Sequence, residues 1–474
     1  MIESNSTPVR RFLLALFTAL FIFATVQAAT AQDSSLPDSD SPSAGDDAET
    51  APGDREKRED ILRYGIDSEV IEVLGNLRGE GDGSYNDLLT EVLLESRNTP
   101  IKQEIYRLWT DTEYRDGLPF AREELEKVIE DEDYVTAVVL TSMAFIAGME
   151  DNEATSELAA LAGHRNDDIA AAAVRAIGSV GAGGDDGTPE LLLDRLRRED
   201  PVASEDLVAA LIVTLGELRY APAAEELVSI AEDEGASQGH RRLACVSIGK
   251  IGREGDDKTV ERLYYESEDA MLRAYALAGF AEFKGRNSSE VLIRALKRDS
   301  FWRIRVTAAE YLATAGGVEV DELLRYKAAN DPVNHVRNAA LKSLGARSGA
   351  ENGLFLTDYF RDSDRGVEDR IVCLGVLLDN RVAGTVEAVK DVMGEEWGRP
   401  GRFLEFVCRD LSRADWNALA PAYEQMLSHD NWLIQVYGIR GIRRNHLLSL
   451  QGKVNALDAD GVDGHVRREV TDGR

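Results

Sequence analysis

The ten residues Val336–Gly345, VRNAALKSLG, come back along the chain about every 33 residues. IRVTAAEYLA (Ile304–Ala313) and LRAYALAGFA (Leu272–Ala281) precede them, and VEDRIVCLGV (Val367–Val376) and IQVYGIRGIR (Ile434–Arg443) follow. Weaker copies start at Ile101, Val135, Ile169, Leu207, His240 and Phe403, which makes eleven. A period of this length is the mark of a stack of similar units. Within the ten-residue window, positions 5 and 6 are apolar or glycine in every copy. Position 1 departs from apolar only at His240, and position 9 only at Gly375. Apolar residues at i, i+4, i+5 and i+8 form one face of an α-helix. Position 8 is usually small (Ala176, Ser247, Gly279, Ser343, Gly441), which lets a neighbouring helix come close.

A second amphipathic stretch precedes most windows, as in Ala221–Asp233, Ser288–Asp299 and Glu319–Asp331, and glycine or Asp331-Pro332 breaks the chain between the pieces. Each unit is therefore a helical hairpin that cannot bury both its faces alone and must stack on the next. No alternating apolar run of useful length occurs, so strands are not expected. The sequence predicts an all-α solenoid, a superhelical stack of about eleven or twelve hairpins over residues 59–450, with a flexible acidic tail at 451–474.

The pattern resembles HEAT repeats, including the short bacterial kind also found in phycobilisome-lyase-like proteins. The resemblance rests on an acidic residue followed by Val-Arg, alanine-rich turns and Leu-Gly. Asp331 with Val336-Arg337 and Asp299 with Ile304-Arg305 fit it, and Arg241 and Arg273 also fill position 2. It implies a structural ladder across repeats built from Asp299, Arg305, Asp331, Arg337, Arg273 and Arg241. It also implies that the second helix of each hairpin lines an inner, concave wall. Such a likeness is specific for fold and silent on activity.

Residues 1–31 have the form of a secretory signal: Arg10-Arg11 as the basic head, Phe12–Val26 as the apolar run and Ala29-Thr30-Ala31 before the cut, so that Gln32 would begin the mature chain. The apolar run is shorter than the ~20 residues a spanning helix needs. No cysteine precedes Cys245, which leaves no lipid attachment point near the cut. Residues 32–58 are rich in Ser, Asp, Ala, Pro and Gly and read as a disordered acidic linker. The expectation is an exported protein, periplasmic or secreted, with no transmembrane anchor. The formal net charge of −32 repels nucleic acid and anionic lipid.

Catalytic and cofactor chemistry leaves no trace. Enzymes on short HEAT repeats that resemble deoxyhypusine hydroxylase hold iron through His-Glu dyads, and none of the six histidines here is followed by Glu. There is no lysine-bearing phosphate loop and no Gly-x-Ser-x-Gly elbow. Asp458, Asp460 and Glu469 match positions 1, 3 and 12 of a calcium loop, but Val462 and Asp463 occupy the places of an oxygen ligand and a glycine. Three cysteines at wide gaps make neither a disulfide framework nor a zinc site. Cys245 and Cys408 fall in the packed column, and Cys373 falls at position 7, where partial exposure is expected.

Position 7 carries the expected partner-binding residues. In order it reads Arg107, Thr141, Arg175, Val213, Val246, Ala278, Glu310, Lys342, Cys373, Arg409 and Arg440, a column of +4 in a strongly negative chain. That contrast suggests a basic stripe facing an acidic or extended polypeptide. Trp302 and Trp432 share a register two residues before position 1 and read as wedges between repeats or as contact anchors. The expected function is a non-enzymatic protein-binding scaffold of the cell envelope or periplasm, with no cofactor or metal and an unidentified protein partner. Two alternatives are a tetrapyrrole lyase or chaperone, which the repeat subtype suggests, and a structural spacer.

Overall fold

Several second helices of the repeats begin where the sequence supplies a cap. Asn98 accepts from the Ile101 amide, Asn166 from Asp168 and Ile169, Asp269 from Met271 and Asn431 from Leu433. Each side-chain oxygen satisfies an amide that the first helical turn leaves unpaired. The computed structural model describes residues 54–181, 187–283, 288–347, 349–399, 401–459 and 461–471, all within the unit Pro52–Arg474. The signal peptide and most of the acidic linker expected from the sequence lie outside the described residues.

Among the described residues there are 26 α-helices and no strand, numbered α1–α26 in chain order. The protein is an all-α solenoid. Its second helices are α2 (Asp67–Glu80), α4 (Thr99–Asp111), α6 (Thr136–Gly148), α8 (Asp167–Val180), α10 (Glu205–Glu217), α12 (Gln238–Ile251) and α14 (Ala270–Glu282). They continue as α16 (Trp302–Tyr311), α18 (Asn334–Ala346), α20 (Val367–Asp379), α22 (Phe403–Arg413), α24 (Trp432–Arg444) and α26 (Gly464–Thr471). Each packs on the next, so one layer runs without a break from α2 to α26. First helices pack chiefly on their own partners, as α5 (Leu118–Ile129) does on α6 and α13 (Asp257–Glu266) on α14.

Small residues set the closeness of the second-helix layer. A Cβ added at Gly279 would meet the Cys245 carbonyl oxygen at 2.0 Å, and one at Gly249 the Gly279 oxygen at 2.1 Å. Helices α12 and α14 thus touch backbone to backbone. Elsewhere position 8 carries a hydroxyl that reaches the preceding helix: Thr214 donates to the Val174 carbonyl (2.9 Å) and Ser343 to Ala309 (2.8 Å).

Most second helices end in a left-handed residue that closes the last turn. Glu113, Glu150, Arg219, Arg381 and His446 adopt φ of 47–53° in this place, and Gly181 and Gly252 also have positive φ. The amide after each of the five non-glycine residues returns to a carbonyl near the helix end, as Tyr114 does to Trp109 and Val382 to Leu377. This turn marks the true register. It falls three residues after windows ending at 110, 178, 216, 249 and 443, but not after those ending at 144 and 376. Burial agrees: the repeat phase there is 138–147 and 369–378, and in α22 it is 404–413.

Two expectations change as a result. Cys373 lies at position 5 of its repeat, not position 7, and is fully buried, its thiol donating to the Leu356 carbonyl at 3.3 Å. The chain beyond 450 is not a loose tail. Val454, Val466 and Val470 are fully buried, and α26 docks on α24 as a further second helix. At the other end, helix begins at Asp54, inside the expected linker.

Candidate protein-binding face

In the corrected register, position 7 reads Arg107, Ala144, Arg175, Val213, Val246, Ala278, Glu310, Lys342, Gly375, Asp410 and Arg440. Four cations and two carboxylates leave +2, half of what the sequence alignment suggests. Arg409 falls one place earlier and its Nε bonds Asp410 at 2.9 Å. Arg107 pairs with Glu104 on its own helix, and Arg440 bonds Glu469 at 2.9 Å. Lys342 is exposed between Glu310 and Asp379. Burial pushes the Glu310 carboxyl up to about 7, and the nearby Lys342 charge offsets only part of that. The column is therefore three stretches, not one basic stripe: an apolar one on α6–α14 broken by Arg175, with Val246 and Ala278 buried, a mixed one on α16–α18, and a paired one on α20–α24.

The ladder residues lie at the opposite ends of these helices and tie repeats together. Arg273 Nη2 meets Asp299 at 2.6 Å, Arg305 meets Asp331 at 2.9 and 3.0 Å, and Arg337 meets Asp369 at 2.8 and 3.1 Å. Each carboxylate belongs to the repeat after its arginine. The same arginines also reach back to carbonyls of their own turn, Arg305 to Asp299 and Arg337 to Asp331 (both 3.0 Å). Arg241 has a different bond, from Nε to the Ala231 carbonyl at 3.2 Å, while its neighbour Arg242 takes Asp269 at 2.7 Å. Sequence reasoning missed Asp369 and Arg370 in this column because the window there was misphased. Arg370 Nε donates to the Phe360 carbonyl at 2.9 Å, as Arg241 does to its own.

Trp302 and Trp432 stack on histidines one repeat further on. The ring centroids are 4.9 Å apart for Trp302–His335 and 4.4 Å for Trp432–His465, with interplanar angles of 21° and 23°. Trp397 and His429 make an edge contact at 4.5 Å. The two stacked pairs bridge adjacent repeats at the start of the second helices, and Trp397 makes its contact from the end of a first helix. Trp432 remains 38% exposed.

An open groove of about 490 Å³ lies between α6 and α8. Leu140, Ala144 and Ala147 form one wall, Ala172 and Arg175 the other, with Asp168 and Asp206 at its edge. No group of three or more His, Cys, Asp or Glu is placed to hold a metal among the described residues. Glu469, at position 12 of the partial calcium-loop match, pairs with Arg440 and Arg443, and Asp460 lies outside the described residues. The three thiols are buried, and that burial pushes each up to about 12.

No curated protein sequence matches this chain. Solved structures similar to it include the karyopherin Kap121p bound to the SUMO protease Ulp1p (TM-score 0.39, 12% identity, 87% of this chain and 52% of that one). Kap121p bound to Nup53p gives 0.37 at 13% identity, with 87% of this chain and 52% of that one covered. Human deoxyhypusine hydroxylase in complex with glycerol gives 0.26 at 14%, covering 56% of this chain and 96% of that one. The chain spans about half the length of the karyopherin it matches. The model of the spirochaete HEAT repeat protein family matches residues 62–472, and the chain belongs to that family.

Proposed function

We propose that the protein is a non-enzymatic scaffold that holds a polypeptide along its second-helix face. The observation that carries this is the unbroken layer from α2 to α26, on which Arg107, Ala144, Arg175, Lys342 and Arg440 stand exposed in one column. Inter-repeat ion pairs and stacked rings hold the layer in one arrangement, so little ordering is needed on binding. Karyopherin Kap121p, a structural neighbour, has been solved bound to protein partners. The signal-like segment at residues 1–31 supports an exported location in the envelope or periplasm. No helix among the described residues is long and apolar enough to cross a membrane.

Photo-crosslinking residues placed one at a time at Ala144, Lys342 and Arg440 on this face, and at Leu191, Tyr265 and Tyr326 on first helices, test the reading in the native host. A scaffold gives one protein reproducibly from the first set and not from the second. A structural spacer gives none from either, and a chromophore lyase gives a spectral shift with added bilin or haem. Mass spectrometry of the mature N-terminus tests export: a chain beginning at Gln32 supports it, and an intact Met1 overturns it.

A further inference from the structure

The second-helix face changes character along its length, and its start is out of keeping with the rest of the chain. Helix α6, TAVVLTSMAFIAG, carries no charged side chain in thirteen residues, although 30% of the chain is charged. Its outward side presents Leu140, Ala144 and Ala147. Ala172 on α8 and Ala209 and Val213 on α10 continue the surface. Between α6 and α8 the short alanine side chains leave the groove of about 490 Å³ open. Apolar residues exposed on first helices, such as Leu191, Tyr265, Tyr326 and Leu354, stand singly and at different helical positions, which is ordinary for a protein surface.

The charges at the groove are also specific. Asp168 stands in the first turn of α8 and Asp206 in the first turn of α10, and among the described residues neither carboxylate has an ion-pair partner within 4 Å. Arg175 lies between them in the groove wall. Burial lowers its pKa, and the two aspartates oppose that. The mouth is therefore apolar at the floor and net negative at the edge.

We propose that the α6–α10 groove is the docking site for a basic, amphipathic segment of the partner, with leucine-like side chains on the alanine floor and a Lys or Arg at Asp168 and Asp206. This rests on the scaffold reading and names its partner's chemistry. Three helices at ~9 Å spacing give a track of roughly 20 Å, enough for about six residues of extended chain. The proposal reverses the partner charge that a basic stripe would select. The carboxylates select for cations and against acidic segments, and the floor requires apolar side chains between them.

The test uses the full mature chain and three fluorescein-labelled twelve-residue peptides of alternating sequence: Leu/Lys, Ser/Lys and Leu/Glu, read by anisotropy. The Leu/Lys peptide should bind at least tenfold more tightly than either of the others. Ala144→Gln, at an exposed position, and Ala172→Gln, at a half-buried one in the groove wall, should each weaken it several-fold, with the circular dichroism unchanged. Asp168→Lys with Asp206→Lys should transfer the preference to Leu/Glu. Equal binding of Ser/Lys would reduce the effect to bulk charge and overturn the proposal, as would Gln variants that bind like the parent. If crosslinks from Lys342 and Arg440 persist in those Gln variants while peptide binding never depended on the groove, the scaffold stands and this site does not.

Discussion

Arg305 and Asp331 face each other across two repeats in a parallel pair of hydrogen bonds, Nε to Oδ2 at 3.0 Å and Nη2 to Oδ1 at 2.9 Å. The same carboxylate accepts from Lys327 Nζ and from the Val333 amide, both at 3.1 Å, so it joins α16 to the turn that launches α18. Burial pushes Asp331 up, but the bonds from Arg305, Val333 and Lys327 outweigh it and hold the carboxyl below its ordinary range. Removing one partner strands buried charge. Asp331→Ala should cost about 3–5 kcal/mol. Because a repeat array unfolds locally, the loss should show as faster amide exchange in α16–α18 before it shows elsewhere.

The same pair has a pH signature. A carboxyl depressed in the folded state stabilises fully above its unfolded pKa of 3.8 and loses that contribution as pH falls through the lower folded value. Asp269 and Asp321 are shifted in the same direction. Glu310 runs the other way. Its carboxyl is raised from 4.5 to about 7, so ionising it is a cost that grows as pH rises between those values. Glu310→Gln should therefore stabilise the fold at pH 8, by roughly 1 kcal/mol after solvent screening, and leave it unchanged at pH 4. Thermal melts at the two pH values check the sign: equal shifts at both would mean the acid is not strained.

Backbone contact between α12 and α14 makes a sharp pair of predictions. Gly279→Ala puts a methyl 2.0 Å from the Cys245 carbonyl oxygen and must push two helices apart. We expect a loss of about 1–3 kcal/mol or more. Gly375→Ala, in the interior of α20 with open space around its Cβ position, should instead stabilise by about 0.5–1 kcal/mol. Urea unfolding of the two variants separates close packing from mere helix propensity.

The fold was legible because its signal repeats. Any one window of apolar spacing is ambiguous, but eleven copies at a steady period leave only a helical stack. The face was less legible, because spacings of i+3 and i+4 fit a window shifted by one, two or three residues about as well as the true one. Val135–Ala144, Val367–Val376 and Phe403–Ser412 slipped in this way, and the slips placed Cys373 and Arg409 on the surface column. A second signal was present. The left-handed turn three residues beyond the window carries Glu113, Glu150, Arg219, Arg381 or His446, but no side-chain type marks it, so only the backbone shows it. The aspartates of the ladder were visible. The resemblance implied that the ladder crosses repeats, but not which arginine each aspartate takes: it is the one of the preceding repeat, not the one six residues further on.

Cysteine reactivity follows from the corrected register. All three thiols are buried and raised to about 12, which leaves almost no thiolate at neutral pH. In native buffer Ellman's reagent should label none of them over an hour, and all three within minutes in 6 M guanidinium. Fast labelling of Cys373 in the native protein would place it back on the surface.

Residues 451–471 should behave as a structural part of the stack. Trp432 stacks on His465, Arg440 and Arg443 pair with Glu469 and Arg443 donates to the Val470 carbonyl at 2.9 Å, and these contacts from α24 hold α26. Val466 and Val470 are buried where α26 packs on α24. Trp432→Ala removes an aromatic contact worth about 0.5–1.5 kcal/mol beyond its area, and α26 has no later neighbour among the described residues to replace it. Amide exchange in α26 should therefore rise by about tenfold in this variant while α16–α18 stay as protected as before. Deleting residues 451–474 should go further, exposing the α24 face and promoting self-association seen by light scattering. A truncated chain as stable and monomeric as the parent would return these residues to the status of a tail.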